Sequence, residues 1–296
     1  MGQSPFGAVM HIEPFFDPRT WTLTYVVFDP TTKDAVVIDP VLDLDPASGR
    51  VFAESVDLVD AFLQKNGLNL RAILETHAHA DHLTGAQELH RRTGAPIAIG
   101  ERIREVQAIF APVFELDVPT DGSQFHRLLR DGETAMFGSL GVKALATPGH
   151  TPACMSYAIG DAVFTGDALF MPDYGVGRCD FPGGSAETLF HSVHDTLYEL
   201  PDSTRVFVGH DYSPGGRAVA WETTIGASKA HNLQLRADTS PAEFVKFRTT
   251  RDATLSAPKL LLPSIQVNID AGRLPEATAA GHRYLKLPLK ITLEKQ

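Results

Sequence analysis

Six consecutive positions, His77 to His82, read His-Ala-His-Ala-Asp-His. Four of the six are side chains that bind transition metals, three imidazoles and one carboxylate. A lone histidine is usually a surface or core residue, but four ligand types at this density are not explained that way. Imidazole with carboxylate suits Zn, Fe and Mn, and no thiolate site accompanies them. On a strand, residues two apart share a face, so His77 and His79 would point together. A loop at the strand end could then turn Asp81 and His82 toward the same cavity.

The rest of the chain repeats one arrangement: an apolar strand that ends on a ligand-type residue. LRAILET (70–76) runs into His77, VKALATPGH (142–150) ends on His150, AVFTGD (162–167) on Asp167, and RVFVGHD (205–211) carries His210. Side chains converging at the edge of a mixed sheet system are the natural outcome. WTLTYVVFD (21–29) and AVVID (35–39) read as a hairpin around the turn PTTKD. Residues 40–50 read as a loop. Helical spacing marks 53–66, with Gly67 as C-cap, then 85–92 ending near Gly94, and 101–110. IAIG (97–100) is a further strand, and 111–133 reads as irregular. Helix 185–199 takes Ser185 as its N-cap. Residues 222–237 and 241–251 read as helices, and the Pro/Leu-rich tail from Pro258 as an extension. The expected organisation is one domain over 1–238 and a C-terminal extension, 239–296, packed on it.

Composition narrows the partners. A formal net charge of -10 without a basic run argues against nucleic acid and against an anionic membrane surface. No window approaches eighteen apolar residues. The N-terminus lacks a signal-peptide pattern, and Phe6 breaks the myristoylation pattern. Two cysteines, Cys154 and Cys179, make a disulfide framework improbable and a reducing, cytoplasmic setting the simpler expectation. His11, His90, His126, His191, His194, His231 and His282 read as non-ligands.

THAHADHLTG, with TPGHTPACMSY (147–157), FTGDALF (164–170) and FVGHDY (207–212), resembles the metallo-β-lactamase superfamily. The resemblance spans roughly residues 15–235. It implies an α/β fold, the αββα metallo-β-lactamase sandwich, with the metal site at the sheet edges. It also implies that His77, His79 and His150 form one metal site, that Asp81, His82 and His210 form another, and that Asp167 bridges them. Taken alone, this set fits a binuclear Zn hydrolase of the hydroxyacylglutathione hydrolase (glyoxalase II) or lactonase type.

The continuation after Asp167 points to another branch. Gly177-Arg178-Cys179-Asp180-Phe181 resembles the element of the persulfide dioxygenases, and the longer segment MPDYGVGRCDFPGG (171–184) with the C-terminal tail resembles a bacterial subgroup of them. In that branch the histidine set persists, yet one Fe(II) is bound. The matching ligands here are His77, His150 and Asp167. Two histidines and a carboxylate form the facial triad of non-haem iron oxygenases, with open positions for substrate and O₂. His79, Asp81, His82 and His210 would then orient ligands around that ion. The implied reaction oxidises glutathione persulfide, or a similar small persulfide, with O₂ and water to sulfite and thiol. The resemblance leads to an expected homodimer or larger assembly.

Arg178 is a candidate anchor for a substrate carboxylate, with an internal salt bridge to Asp180 as the alternative. Tyr212 is a candidate hydrogen-bond donor beside the metal, with packing as the alternative. Cys179 reads as a small loop residue, with a transient persulfide carrier or oxidation as a bystander as the alternative, and Cys154 as core. A non-catalytic metal-binding or sensor protein is the third reading.

Overall fold

The computed structural model describes residues 10–289 and 291. The signal and myristoylation readings fall on residues 1–9 and lie outside the described residues. β1 (His11–Asp17), β2 (Thr22–Phe28) and β3 (Asp34–Ile38) run antiparallel in turn. β4 (Val41–Asp45) and β5 (Arg50–Phe52) form a small hairpin. α1 (Glu54–Lys65) carries the chain to β6 (Asn69–Leu74), which lies parallel to β3. β7 (Leu83–Thr84) pairs with β4, and α2 (Ala86–Thr93) follows. β8 (Ile97–Gly100), α3 (Ile103–Val113) and β9 (Arg127–Leu129) complete a sheet of order β1-β2-β3-β6-β8-β9.

The second sheet begins with β10 (Thr134–Phe137), β11 (Leu140–Ala146), β12 (Met155–Ile159) and β13 (Ala162–Phe164), all antiparallel neighbours. α4 (Ala186–His191) runs into a π-helical turn over Ser192–Leu197 and crosses to β14 (Arg205–Phe207), parallel to β13. β15 (Glu222–Thr224) closes that edge. α5 (Ile225–His231), α6 (Pro241–Asp252) and α7 (Leu261–Asn268) follow.

The period-2 alternation sorts side chains into two cores. Tyr25, Val27, Val36 and Ile38 point between the sheets, where the Tyr25 ring lies 5.2 Å from Phe164 and 5.5 Å from Phe207. Val26, Ala35, Val37 and Ile73 point to the other face, against Val56, Val59 and Leu63 of α1 and Leu89 of α2. Burial on both faces is why these strands read as unbroken apolar runs. The result is the αββα sandwich that the sequence motifs imply.

The departures from the sequence reading have local causes. Residues 41–45 are a strand rather than loop, because Val41 and Leu42 are buried and pair with β7. β1, β9 and β10 are sheet edges whose short or mixed patterns give little signal. Residues 222–224 pair antiparallel with β14 as a strand before α5 starts, and Thr224 caps that helix by accepting from the Ala227 amide at 3.1 Å. β6 ends at Leu74, so the histidine cluster lies entirely in the following loop and not on a strand.

The C-terminal residues take part in both cores. Phe244 of α6 packs on Phe190 of α4 with ring centroids 6.0 Å apart, and Ile265, Val267 and Ile269 join the core beneath α1 and α2. Within α6 the buried Arg248 pairs with the buried Asp252, and Arg248 also donates to the Gln234 Oε1 at 2.9 Å. The free Asp252 oxygen accepts from the Cys179 amide at 2.9 Å, tying α6 to the Gly177–Phe181 loop. Removing one member of a buried ion pair leaves the other uncompensated. Asp252→Ala is therefore expected to destabilise the fold by about 3–5 kcal/mol in chemical denaturation.

Candidate metal centre

The ligand-type side chains gather where strands end, the usual position of binding crevices in α/β sheets. β3 delivers Asp39, β6 the loop 75–82, β11 leads to His150, β13 to Asp167 and β14 to His210. Two close backbone approaches hold these loops together. Gly166 has φ +48°, and a Cβ there would collide with the Thr76 side chain. A Cβ at Gly177 would collide with the Asp167 carbonyl, which is why the Gly-Arg-x-Asp-Phe element opens on glycine.

Ligand atoms of His77, His150 and Asp167 all lie within 4.8 Å of one another. Those of His79, Asp81 and His210 form a second such group, and those of Asp39, Glu75 and His79 a third. Among the described residues, His82 joins no group. The resemblance placed His79 with His77 and His150; the structure groups it with Asp81 and His210 instead. His79 Nε2 lies 3.1 Å from Asp39 Oδ1 and 3.3 Å from Glu75 Oε2, two carboxylates behind the cluster.

The hydrogen bonds orient each imidazole. Thr76 donates its amide and hydroxyl to the two Asp39 oxygens at 2.7 and 2.8 Å. With that hydroxyl proton committed, His77 Nδ1 donates to Thr76 Oγ1 at 3.0 Å. His150 Nδ1 donates to the Arg178 carbonyl at 2.7 Å, His82 Nδ1 to the Leu83 carbonyl at 2.9 Å, and His210 Nδ1 to the Trp21 carbonyl at 3.2 Å. In a neutral ring, a proton on Nδ1 leaves Nε2 with a lone pair facing inward. His77 Nε2, His82 Nε2, Asp81 Oδ2 and Asp167 Oδ1 are buried there without a hydrogen-bond partner. Buried orphans of acceptor type, converging from several loops, are the donor set that a divalent cation satisfies. The residues fit a metal.

Electrostatics agree. Burial holds His77 well below its ordinary range and brings His82 down to about 4, so both rings are neutral. Burial, the largest influence, would also lower His210, but Asp167 and Asp81 outweigh it and hold it at about 9. Burial would raise Asp167, yet His210 and His150 keep it ionised, well below the usual carboxylate range. Burial pushes Glu75 up to about 7, against the opposing pull of His79. A bound cation would take the place of protons that such a site otherwise holds.

Arg178 closes its guanidinium on Asp180 with two 2.7 Å bonds and donates to the Ser256 carbonyl at 2.8 Å. The carboxylate it holds is thus internal, and its carbonyl is what orients His150. Tyr212 stacks on His210 with ring centroids 5.6 Å apart. Burial drives the Cys154 thiol up to about 12 and raises Cys179 as well, so neither is a reactive thiolate. Cys154 accepts from the Thr151 amide at 3.3 Å in the core.

Three supporting residues carry no obvious motif. Asp39 and Glu75 back His79, and the signal for them was their position at the ends of the runs AVVID and AILE. Asn268, at the end of α7, donates to the His79 and His82 carbonyls at 2.8 Å each and accepts from the Thr84 amide at 2.9 Å. Nothing in the local sequence marks it.

Residues 22–210 match the model of the Metallo-beta-lactamase superfamily. The chain belongs to that superfamily. A probable metallo-hydrolase of Burkholderia pseudomallei is 47% identical over 95% of this chain and 99% of its own length. The mitochondrial persulfide dioxygenase of Homo sapiens is 33% identical over 70% of each chain. The crystal structure of ETHE1 from Myxococcus xanthus, 33% identical, covers 89% of this chain and all (100%) of that one with a TM-score of 0.72. Superfamily members of both kinds, hydrolase and dioxygenase, therefore stand near this chain. Among the described residues, no helix is long and apolar enough to cross a membrane.

Asp39 orients the histidine loop through Thr76 and His79. Outer partners of this kind are worth roughly 10–100-fold in metal affinity. Asp39→Asn is expected to weaken metal binding by about that factor, read by chelator competition on a folded protein.

Proposed function

We propose that this protein is a persulfide dioxygenase that holds one Fe(II) per chain through His77, His150 and Asp167. The observation that carries the reading is the convergence of two imidazoles and one carboxylate within 4.8 Å, with His79 drawn aside toward Asp39 and Glu75. Fe(II) in a two-histidine, one-carboxylate triad supplies open coordination positions and a redox capacity that Zn lacks. The Gly177–Phe181 element and the 33% identity to named persulfide dioxygenases support the same branch.

The substrates are a low-molecular-weight persulfide, with glutathione persulfide as the reference, and O₂. The terminal sulfur leaves as sulfite and the carrier leaves as thiol. Four electrons pass from that sulfur to one O₂, and one water supplies the third sulfite oxygen. The chain's own part is orientation. The Arg178 and Trp21 carbonyls fix the His150 and His210 rings. Tyr212, Phe170 and Tyr174 line the approach.

A binuclear Zn hydrolase is the second reading. The convergence of His79, Asp81 and His210 favours it, as does the name of the Burkholderia relative. Metal analysis with oxygen uptake on glutathione persulfide separates the two. The proposal expects one iron per chain and oxygen consumption, both lost together in Asp167→Ala. Two zinc ions per chain and thioester or lactone hydrolysis without oxygen uptake would establish the hydrolase.

A further inference from the structure

A cavity of about 730 Å³ opens in front of the His150–Asp167 edge of the triad. Its wall is largely carbon: Trp21, Phe170, Tyr174, Phe181 and Leu255 contribute aromatic and aliphatic surface. Five cations also line it, and three of these are already neutralised by the protein. Arg19 is held by Asp43 and Glu54, Arg178 by Asp180, and Arg248 by Asp252. The other two, Arg251 and Lys259, have no carboxylate partner among the described residues. Both are exposed, one on the last turn of α6 and one just before α7. Arg251 reaches the Tyr174 wall, where its charge opposes the upward push of burial on that hydroxyl. Asp45, Asp81 and Asp167 line the same cavity without pairing to either; in a chain of net charge -10, two unpaired cations on one cavity are informative.

This arrangement asks for a ligand with three parts. Sulfur belongs at the metal end, an apolar arm along the aromatic wall, and a negative charge at the Arg251–Lys259 end. Beyond Thr20, Asp45, Gln234 and Ser256, the peptide groups and ammonium of a tripeptide thiol would meet carbon, at a cost in desolvation. Resting on the persulfide reading, we propose that the carrier thiol is an amphipathic anion. It has a persulfide at one end, a chain of several methylenes, and a carboxylate selected by Arg251 and Lys259.

The test uses the full-length, metal-loaded protein and the product-form thiols, so that binding is read without turnover. Calorimetry compares ω-mercaptoalkanoates of increasing length, the matching neutral ω-mercaptoalkanols, and glutathione. Affinity is expected to rise roughly fourfold per methylene until the cavity is filled. The longer mercaptoalkanoates are expected to outbind glutathione. The double variant Arg251→Ala/Lys259→Ala should weaken the carboxylates by roughly tenfold and leave the mercaptoalkanols unchanged, which also shows that it is folded. No dependence on chain length, tighter binding of glutathione, or equal loss for acids and alcohols would overturn the proposal. Oxygen uptake on the corresponding persulfides is measured in parallel. Its absence on every persulfide, with the length and charge dependence of binding intact, would overturn the dioxygenase reading and support the ligand class.

Discussion

Asp39 lies at the end of β3 with φ +49°, and its two oxygens take the amide and hydroxyl of Thr76 at the end of β6. That carboxylate joins two parallel strands at the one point where the histidine loop departs. Through Thr76 it sets the tautomer of His77, and directly it faces His79. A left-handed backbone at a non-glycine residue costs of order 1–3 kcal/mol and persists only when its surroundings fix it. Trp21 (φ +57°) and Ser213 (φ +47°) show the same conformation around the site, and the Trp21 carbonyl orients His210. Local strain at the rim is thus part of how the ligands are aimed.

Much of the fold was legible because its strands are buried on both faces. LRAIL and AVFTG can only be core strands, and their ends named His77 and Asp167 at once. The ligand inventory was equally visible, since imidazoles and carboxylates at such density have few other uses. What stayed hidden depends on pairing across distance. β9 and β10 are edge strands of three and four residues, too short for a periodic pattern. The grouping of His79 with Asp81 and His210 follows from where the loop turns, and a spacing of two residues reads equally well as one shared face. Asn268 is a polar residue near the end of the outer core, and its three bonds span more than 180 positions.

Arg178 shows a related limit. The sequence offered two partners for it, a substrate carboxylate or Asp180, and the structure pairs it with Asp180 while its carbonyl holds His150. The residue matters to the site through its main chain, which a side-chain motif does not advertise. The Gly-Arg-x-Asp-Phe element therefore reads as a scaffold: glycine for close approach, arginine and aspartate for a closed fork, and phenylalanine against His150 at 5.1 Å.

The bonds from Asn268 have a consequence for the order of assembly. Synthesis proceeds from the N-terminus, and early segments begin to fold while later ones are still being made. Residues 76–84 are made early, yet three of their main-chain groups find a partner only when residue 268 has been added. A nascent chain therefore carries its histidine loop without those ties until α7 has been made. Final rigidity of the metal centre comes only at the docking of α7.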